Sequence, residues 1–244
     1  MLERERIDEL WHRSQDRGLI TRTNFLSPAE QMEIQKIAHI AASVHFVGGQ
    51  GGAERQVAYF LPDPSAQDWL TPEEDIKALK FHTAFFSPSH RDILGSLLGL
   101  GLERWTIGDI ITQEEWAFCY CLANVEGFIL EHLEKIGRSG VRITEIPWSQ
   151  VPQKQSAGEI HMFSVSGLRL DAVLAASFHL SRGRVQEAIV GGLVQLNHSP
   201  CIKPTREVKV GDVFSLRGHG KAKLVEISGE TRKNRIRIQV ELYG

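Results

Sequence analysis

The chain has 244 residues, 42% hydrophobic and 24% charged, with a formal net charge of −2. That composition suits a water-soluble folded chain, and no apolar run approaches the ~20 residues needed to cross a bilayer, which excludes membrane insertion by a helix. The three cysteines, Cys119, Cys121 and Cys201, cannot build a disulfide framework and lack zinc-finger spacing. The expectation is a reducing cytoplasm, with no metal and no cofactor.

The N-terminal stretch MLERERIDELWHRSQDRGLI mixes acids and bases and predicts an amphipathic helix. It has neither the apolar centre of a signal peptide nor the acid-poor character of a transit peptide. Ser27-Pro28 predicts a second helix start, serine as cap and proline in the first turn. Met32, Ile34, Ile37, Ala38, Ile40 and Ala41 follow at largely helical spacing. VHFV and ERQVAYFL then flank the glycine cluster GGQGGA at 48–53. A phosphate-binding loop needs Lys-Ser or Lys-Thr and a helix after the glycines. A strand-like run follows instead, so the cluster reads as a hairpin connection. Pro62, Pro64 and Pro72 mark a linker.

Next come KFHTAFF (strand), SHRDILGSLLGLG (helix), TIGDIIT and EEWAFCYCLA (strands), VEGFILEHLEKIG (helix) and VRITEI (strand). The order β-α-β-β-α-β is the ferredoxin-like plan shared by RNA-recognition domains, and the plan alone does not assign their function. His90-Arg91-Asp92 resembles the start of a kinase catalytic loop, but Leu97 stands where the magnesium-binding Asn belongs. Ser89 and Asp92 predict a capping box instead, leaving His90 and Arg91 as candidate phosphate contacts at a helix start. Trp116, Phe118 and Tyr120 alternate onto one strand face. Such rings either stack RNA bases or pack beneath the two helices. Ala117, Cys119 and Cys121 opposite them are too apolar for a wet surface, which favours packing, and Phe118 is kept as a secondary RNA candidate.

Charge divides the chain. Up to Val165 there are 15 Lys/Arg against 23 Asp/Glu, and from Ser166 onward 13 against 7. A basic C-terminal third on an acidic body points to a polyanion partner for that third. There the pattern predicts a short helix from Leu170 and a second helix capped by Ser181. Arg182 and Arg184 lie in its first turn, where helix N–H groups and guanidinium charge act together on phosphate. Strands LVQLN and VFSLRG follow, and a last strand puts Arg235 and Arg237 on one face and Ile236 and Ile238 on the other.

Arg169-Leu170-Asp171, Ser181-Arg182, Ile189, Gly192-x-Val194-x-x-Asn197 and Gly211-Asp212 resemble the S4 RNA-binding domain. The whole chain resembles the YlmH family. The carrying motifs are Ser89-His90-Arg91-Asp92-Ile93-Leu94-Gly95 through Gly99-Leu100-Gly101 to Ile107-Gly108-Asp109-Ile110, then Arg217-Gly218-His219-Gly220-Lys221 and Thr231-Arg232-Lys233-Asn234-Arg235. The resemblance implies an α+β protein of three small domains. These are an N-terminal α/β domain at 1–74, a ferredoxin-like (RRM-like) domain at 78–152 and an S4 domain at 164–244. It also implies a non-catalytic, monomeric factor without small-molecule cofactor that binds ribosomal RNA and tRNA on large ribosomal subunits carrying stalled peptidyl-tRNA. The implied RNA contacts are Arg169, Ser181, Arg182, Arg184, Gln186, Asn197, Arg217, His219, Lys221, Arg232, Lys233 and Arg235. His90, Arg91 and Phe118 are secondary.

Val185, Val190 and Leu193 depart from the S4 pattern, the last two replacing polar or basic residues, so this helix carries less positive charge than strong RNA binders do. Two other readings stay open. Related proteins in photosynthetic organisms carry a photosystem II label, which allows an assembly factor and a plastid stroma setting. Pseudouridine synthases also carry S4 domains, but the Arg-Leu-Asp at 169–171 already opens the S4 domain and too little chain follows it for a catalytic domain.

Overall fold

The computed structural model describes residues 4–84, 86–153, 158–230 and 235–243. The chain forms two units, Met1–Lys154 and Gln155–Gly244. Among the described residues no helix is long and apolar enough to cross a membrane, and no group of three His, Cys, Asp or Glu is placed to hold a metal ion.

The first unit starts with α1 (Arg4–Arg17), which buries Ile7, Leu10 and Ser14 on one face. The Ser14 hydroxyl donates to the Phe60 carbonyl at 2.9 Å, so that polar group enters the core already paired. Strand β1 (Thr21–Leu26) follows. Next is α2 (Pro28–Gln35), started by the expected cap, here a full capping box of Ser27 and Glu30. The expected single helix is broken: Ile37 is extended (φ −83°, ψ 101°) and a short α3 (Ala38–Ala41) follows. Six residues on one straight helix turn through about 600°, which sets Ile34 and Ile40 on different faces. The break lets both reach full burial in one cluster with Leu26, Ala58 and Phe60.

Strands β2 (Val44–Val47) and β3 (Gln56–Phe60) complete an antiparallel sheet of order β1-β3-β2. The glycine cluster lies in the connection between β2 and β3. Gly49 there has φ +98°, and a Cβ on it would come within 2.2 Å of the Tyr120 ring, so side chains are barred on two counts. The proline-rich stretch holds a 3₁₀ turn (Pro64–Trp69) and α4 (Pro72–Asp75). It is packed rather than loose, with Ala66 fully buried.

The second sheet has the expected plan: β4 (Ile76–Thr83), α5 (His90–Gly99), β5 (Ile107–Gln113), β6 (Trp116–Leu122), α6 (Ala123–His132), β7 (Lys135–Ile136) and β8 (Ser139–Ile146). Its strands run antiparallel in the order β5-β6-β4-β8-β7, with β7 the added edge piece. The capping box of Ser89 and Asp92 starts α5.

Elements pack on both faces of this sheet, one face closed only in part, and not in the expected arrangement. Ala117, Cys119 and Cys121 face Ile93 and Leu97 of α5 and Ile129 of α6. Phe118 and Tyr120 pack instead with Phe25, Val57 and Tyr59 of the N-terminal sheet. The rings therefore lie under a second sheet and not under the helices. Phe118 is only 5% exposed, which corrects its place among RNA candidates: a ring closed by that sheet has no face left for a base.

The Ile107-Gly108-Asp109-Ile110 motif makes the joint between the two sheets. Asp109, 5% exposed, accepts the backbone N–H groups of Glu54 (2.9 Å) and Arg55 (3.0 Å). The Arg55 guanidinium donates to the carbonyls of Ile107 and Phe25, each at 3.0 Å. A Cβ on Gly108 would meet the Phe25 ring at 2.7 Å, so only glycine permits this approach.

The second unit contains β9 (Glu159–Val165), α7 (Leu170–Ser177), α8 (Arg182–Val190), β10 (Val194–Leu196), β11 (Ser199–Pro200), β12 (Val213–Leu216), β13 (Gly220–Glu230) and β14 (Ile236–Tyr243). They form one sheet of order β11-β10-β12-β13-β14-β9. Leu170, Val173 and Leu174 of α7 and Val185 and Ile189 of α8 bury against Phe214, Leu224, Ile238 and Val240 of the sheet. The burial of Ile238 and exposure of Arg237 follow the expected alternation in β14. Strands β9 and β13 were not anticipated.

Candidate nucleic-acid interface

Three arginines of the second unit, Arg169, Arg182 and Arg184, stand at the starts of α7 and α8. Ser181 is extended (φ −67°, ψ 146°) and its hydroxyl accepts the Arg184 N–H at 3.3 Å, which starts α8. Leu170 and Asp171 open α7, their N–H groups donating to the carbonyls of Arg206 (2.8 Å) and Pro204 (3.1 Å).

Asp171 is fully buried. Arg169 donates to it through Nε (3.2 Å) and Nη2 (2.9 Å), and Arg182 through Nε (3.2 Å) and Nη2 (3.1 Å). Gln186 adds Nε2 at 2.7 Å. Burial by itself would push this carboxyl up, but hydrogen bonds from Arg182, Gln186 and Arg169 outweigh it and hold the pKa down at about 2. Asp171 therefore stays ionised, and two guanidiniums share one carboxylate with one positive charge in excess.

Their side chains are 42% (Arg169) and 44% (Arg182) exposed. A guanidinium has five N–H donors, and the clamp engages two from each arginine. The remaining donors are held in fixed orientation, the arrangement that suits a phosphate oxygen.

Other candidates divide into exposed groups and internal ones. Arg184 is exposed in the first turn of α8. Arg217 and His219 are exposed in the β12–β13 turn, and the Arg217 N–H donates to the Leu193 carbonyl at 3.0 Å, tying that turn to the loop after α8. Lys221 is half-buried, with Nζ 5.5 Å from the Tyr243 ring centroid. Arg235 is exposed and its guanidinium donates to the Ser164 carbonyl.

Asn197 is committed inside the fold. It has φ +49° in the turn between β10 and β11. Its Nδ2 donates to Asp212 Oδ1 and its Oδ1 accepts the Val213 N–H, both at 2.9 Å. Gln186 likewise directs its amide N–H inward, to Asp171. Ser181 acts as a helix cap. Arg232 and Lys233 lie outside the described residues. His90 and Arg91 are exposed at the start of α5, in the other unit.

Sequence reasoning missed the role of Asp171. The signal was present as an acidic residue two positions after one arginine and eleven before another, yet only the meeting of two helices makes it a clamp. Val190 (65% exposed) and Leu193 (43%) leave the end of α8 apolar.

Residues 64–150 match a family model described as "Putative RNA-binding domain in YlmH", and residues 168–214 match the S4 domain. The chain is 33% identical over 248 residues to "Ribosome-associated protein quality control protein P2" of Bacillus subtilis (strain 168), covering 98% of this chain and 95% of the relative. A solved structure, "Cell division protein ylmH from Streptococcus pneumoniae", superimposes with a TM-score of 0.48 at 20% identity, covering 62% of this chain and 96% of that one. With two RNA-binding domain models matched and a relative similar along almost its entire length, the chain belongs to the YlmH family of S4-domain proteins.

Proposed function

We propose that this protein is a non-catalytic RNA-binding factor that engages ribosomal RNA and tRNA on the large ribosomal subunit, in the quality control of stalled peptidyl-tRNA complexes. The observation that carries the reading is the Asp171 clamp, which holds Arg169 and Arg182 half-exposed beside Arg184 at the start of α8. Two guanidiniums fixed on one carboxylate, with the exposed Arg184 in the first turn of α8, supply the cationic surface that phosphate contacts require. The name of the Bacillus subtilis relative supports the ribosomal setting. In this reading the protein acts as a monomer in the cytoplasm and needs no small-molecule cofactor. Its segments 1–74, 78–152 and 164–244 serve as N-terminal, RRM-like and S4 domains.

Sedimentation of the tagged protein from lysate through a sucrose gradient, with sequencing of bound RNA, tests this. Co-migration with free large subunits carrying peptidyl-tRNA is expected. Migration only with light complexes lacking ribosomal RNA and tRNA would contradict it.

A second reading, a protein-assembly factor, draws on one observation: Ile160 (61% exposed) and Met162 (75%) lie on the same side of strand β9. Binding through such apolar anchors would persist in high salt, where phosphate contacts collapse.

A further inference from the structure

The sheet of β4, β5, β6 and β8 has one face that is only half closed. Trp116 in β6 pairs with His82 in β4 and with Gln113 in β5, and His82 pairs in turn with Arg142 in β8. Directly opposed residues of antiparallel strands project to the same side. Gln113, Trp116, His82 and Arg142 therefore form one row across four strands. The adjacent row is Ile111, Phe118, Lys80 and Thr144. Ile111 and Phe118 of that second row are closed by the N-terminal sheet, at 7% and 5% exposure.

The outer row stays accessible. Gln113 and Arg142 are exposed and Trp116 and His82 are half-buried, and Lys80 of the adjacent row, also half-buried, reaches them. Lys80 Nζ stands 3.6 Å from the centre of the Trp116 ring. The His82 ring lies 4.5 Å from it at an interplanar angle of 37°. The acidic neighbour is Glu115, 3.9 Å from His82 and 66% exposed, a weak solvated contact.

This row joins the three chemistries that an unstacked nucleotide requires. With Lys80 swung from the ring to the phosphate, Trp116 offers a π-surface for the base, Arg142 offers a second charge, and Gln113 offers an amide for the base edge. A duplex has no unstacked base for the ring to meet. An apolar protein anchor would leave the cations without partners.

We propose that Gln113, Trp116, His82, Arg142 and Lys80 form a second RNA contact that takes a nucleotide of a single-stranded segment. It extends the RNA-binding reading above and rests on it for the class of polymer, while using none of the S4 residues.

The test uses the full chain and a fluorescein-labelled eight-nucleotide uridine RNA, read by anisotropy. Arg184→Glu and Arg217→Glu form the background that weakens the S4 surface. In that background Trp116→Leu is expected to lower octamer affinity about tenfold, the scale of losing one base stack. The pair Lys80→Ala and Arg142→Ala should lower it about fivefold, as two phosphate contacts would, with an unchanged circular-dichroism melt. The alanine pair keeps the test decisive if the tryptophan variant fails to fold. An alanine pair that folds and binds the octamer like its parent overturns the proposal, as does a 4-thiouridine octamer that crosslinks only to residues 158–243. Affinity for folded ribosomal RNA is measured alongside. If the glutamate pair leaves that affinity intact, the S4 reading fails whatever the octamer shows.

Discussion

Two buried aspartates anchor the two units, and they differ in what donates to them. Asp109 accepts backbone N–H groups from residues 54 and 55, so its charge is used to hold a loop against a sheet. Asp171 accepts arginine side chains, so its charge is used to aim two cations that remain 42% and 44% exposed. Each stands in a short motif, Gly108-Asp109 or Arg169-Leu170-Asp171, and each is at most 5% exposed. The lesson is that a buried acid marks architecture or recognition according to its donors: backbone donors end at the fold, while guanidinium donors have a second side.

The largest effect expected from breaking this contrast is at Asp109. Asp109→Ala strands two N–H groups and removes the carboxylate near Arg55 and Arg104, and should cost about 3 kcal/mol of stability. Urea unfolding checks it, and RNA affinity of the folded variant should stay within about twofold of the parent, inside the scatter of changes remote from a contact.

Asp171→Asn sharpens the comparison further. It keeps the shape and raises the local net charge, so a model of charge alone expects tighter RNA binding. Positioning expects the reverse, a loss of about fivefold, because the asparagine N–H₂ turns one guanidinium away. Filter binding at fixed salt decides between them.

Arg184→Glu should weaken RNA binding by about fivefold and flatten its salt dependence by about one contact. Stability should change by less than about 0.5 kcal/mol, since the side chain is exposed.

Acid stability also depends on Asp171. The Asp171 pKa is depressed in the folded chain, so its stabilising contribution is present above the unfolded carboxyl value near 3.9 and is lost as pH falls toward about 2. Asp171→Asn should remove that part of the acid-unfolding curve and leave the curve above pH 5 parallel to the parent's. Circular dichroism across pH 2–6 measures it.

Local chemistry made much of the fold legible. Ser27, Ser89 and Ser181 each start the helix expected of them, because a cap depends on residues three positions apart. The β-α-β-β-α-β order was readable from periodicity. What stayed hidden depends on distant packing. No local rule says that Phe25, Val57 and Tyr59 will close over Phe118, or that burying Ile34 and Ile40 together requires a break at Ile37. Strand β13 carries no clean strand signal, because its alternation is diluted by Gly229 and its register slips twice against β14.

The candidate site was legible in the same uneven way. Ser181 predicts a helix start at Arg182 and Arg184, and α8 begins there. Asn197 was named for recognition, whereas its side chain holds Asp212 and Val213. Asp171, the residue that orients the arginines, was noticed only as part of a motif.

The central claim is that arginines held by Asp171 carry RNA recognition. Its most direct test is the affinity of the parent and of Asp171→Asn for ribosomal RNA across a salt series. A steep fall of log affinity with log salt is expected for the parent, by about 0.7–0.9 per phosphate contact, with weaker binding by the variant throughout. A parent affinity that ignores salt, or a variant that binds more tightly, would contradict it.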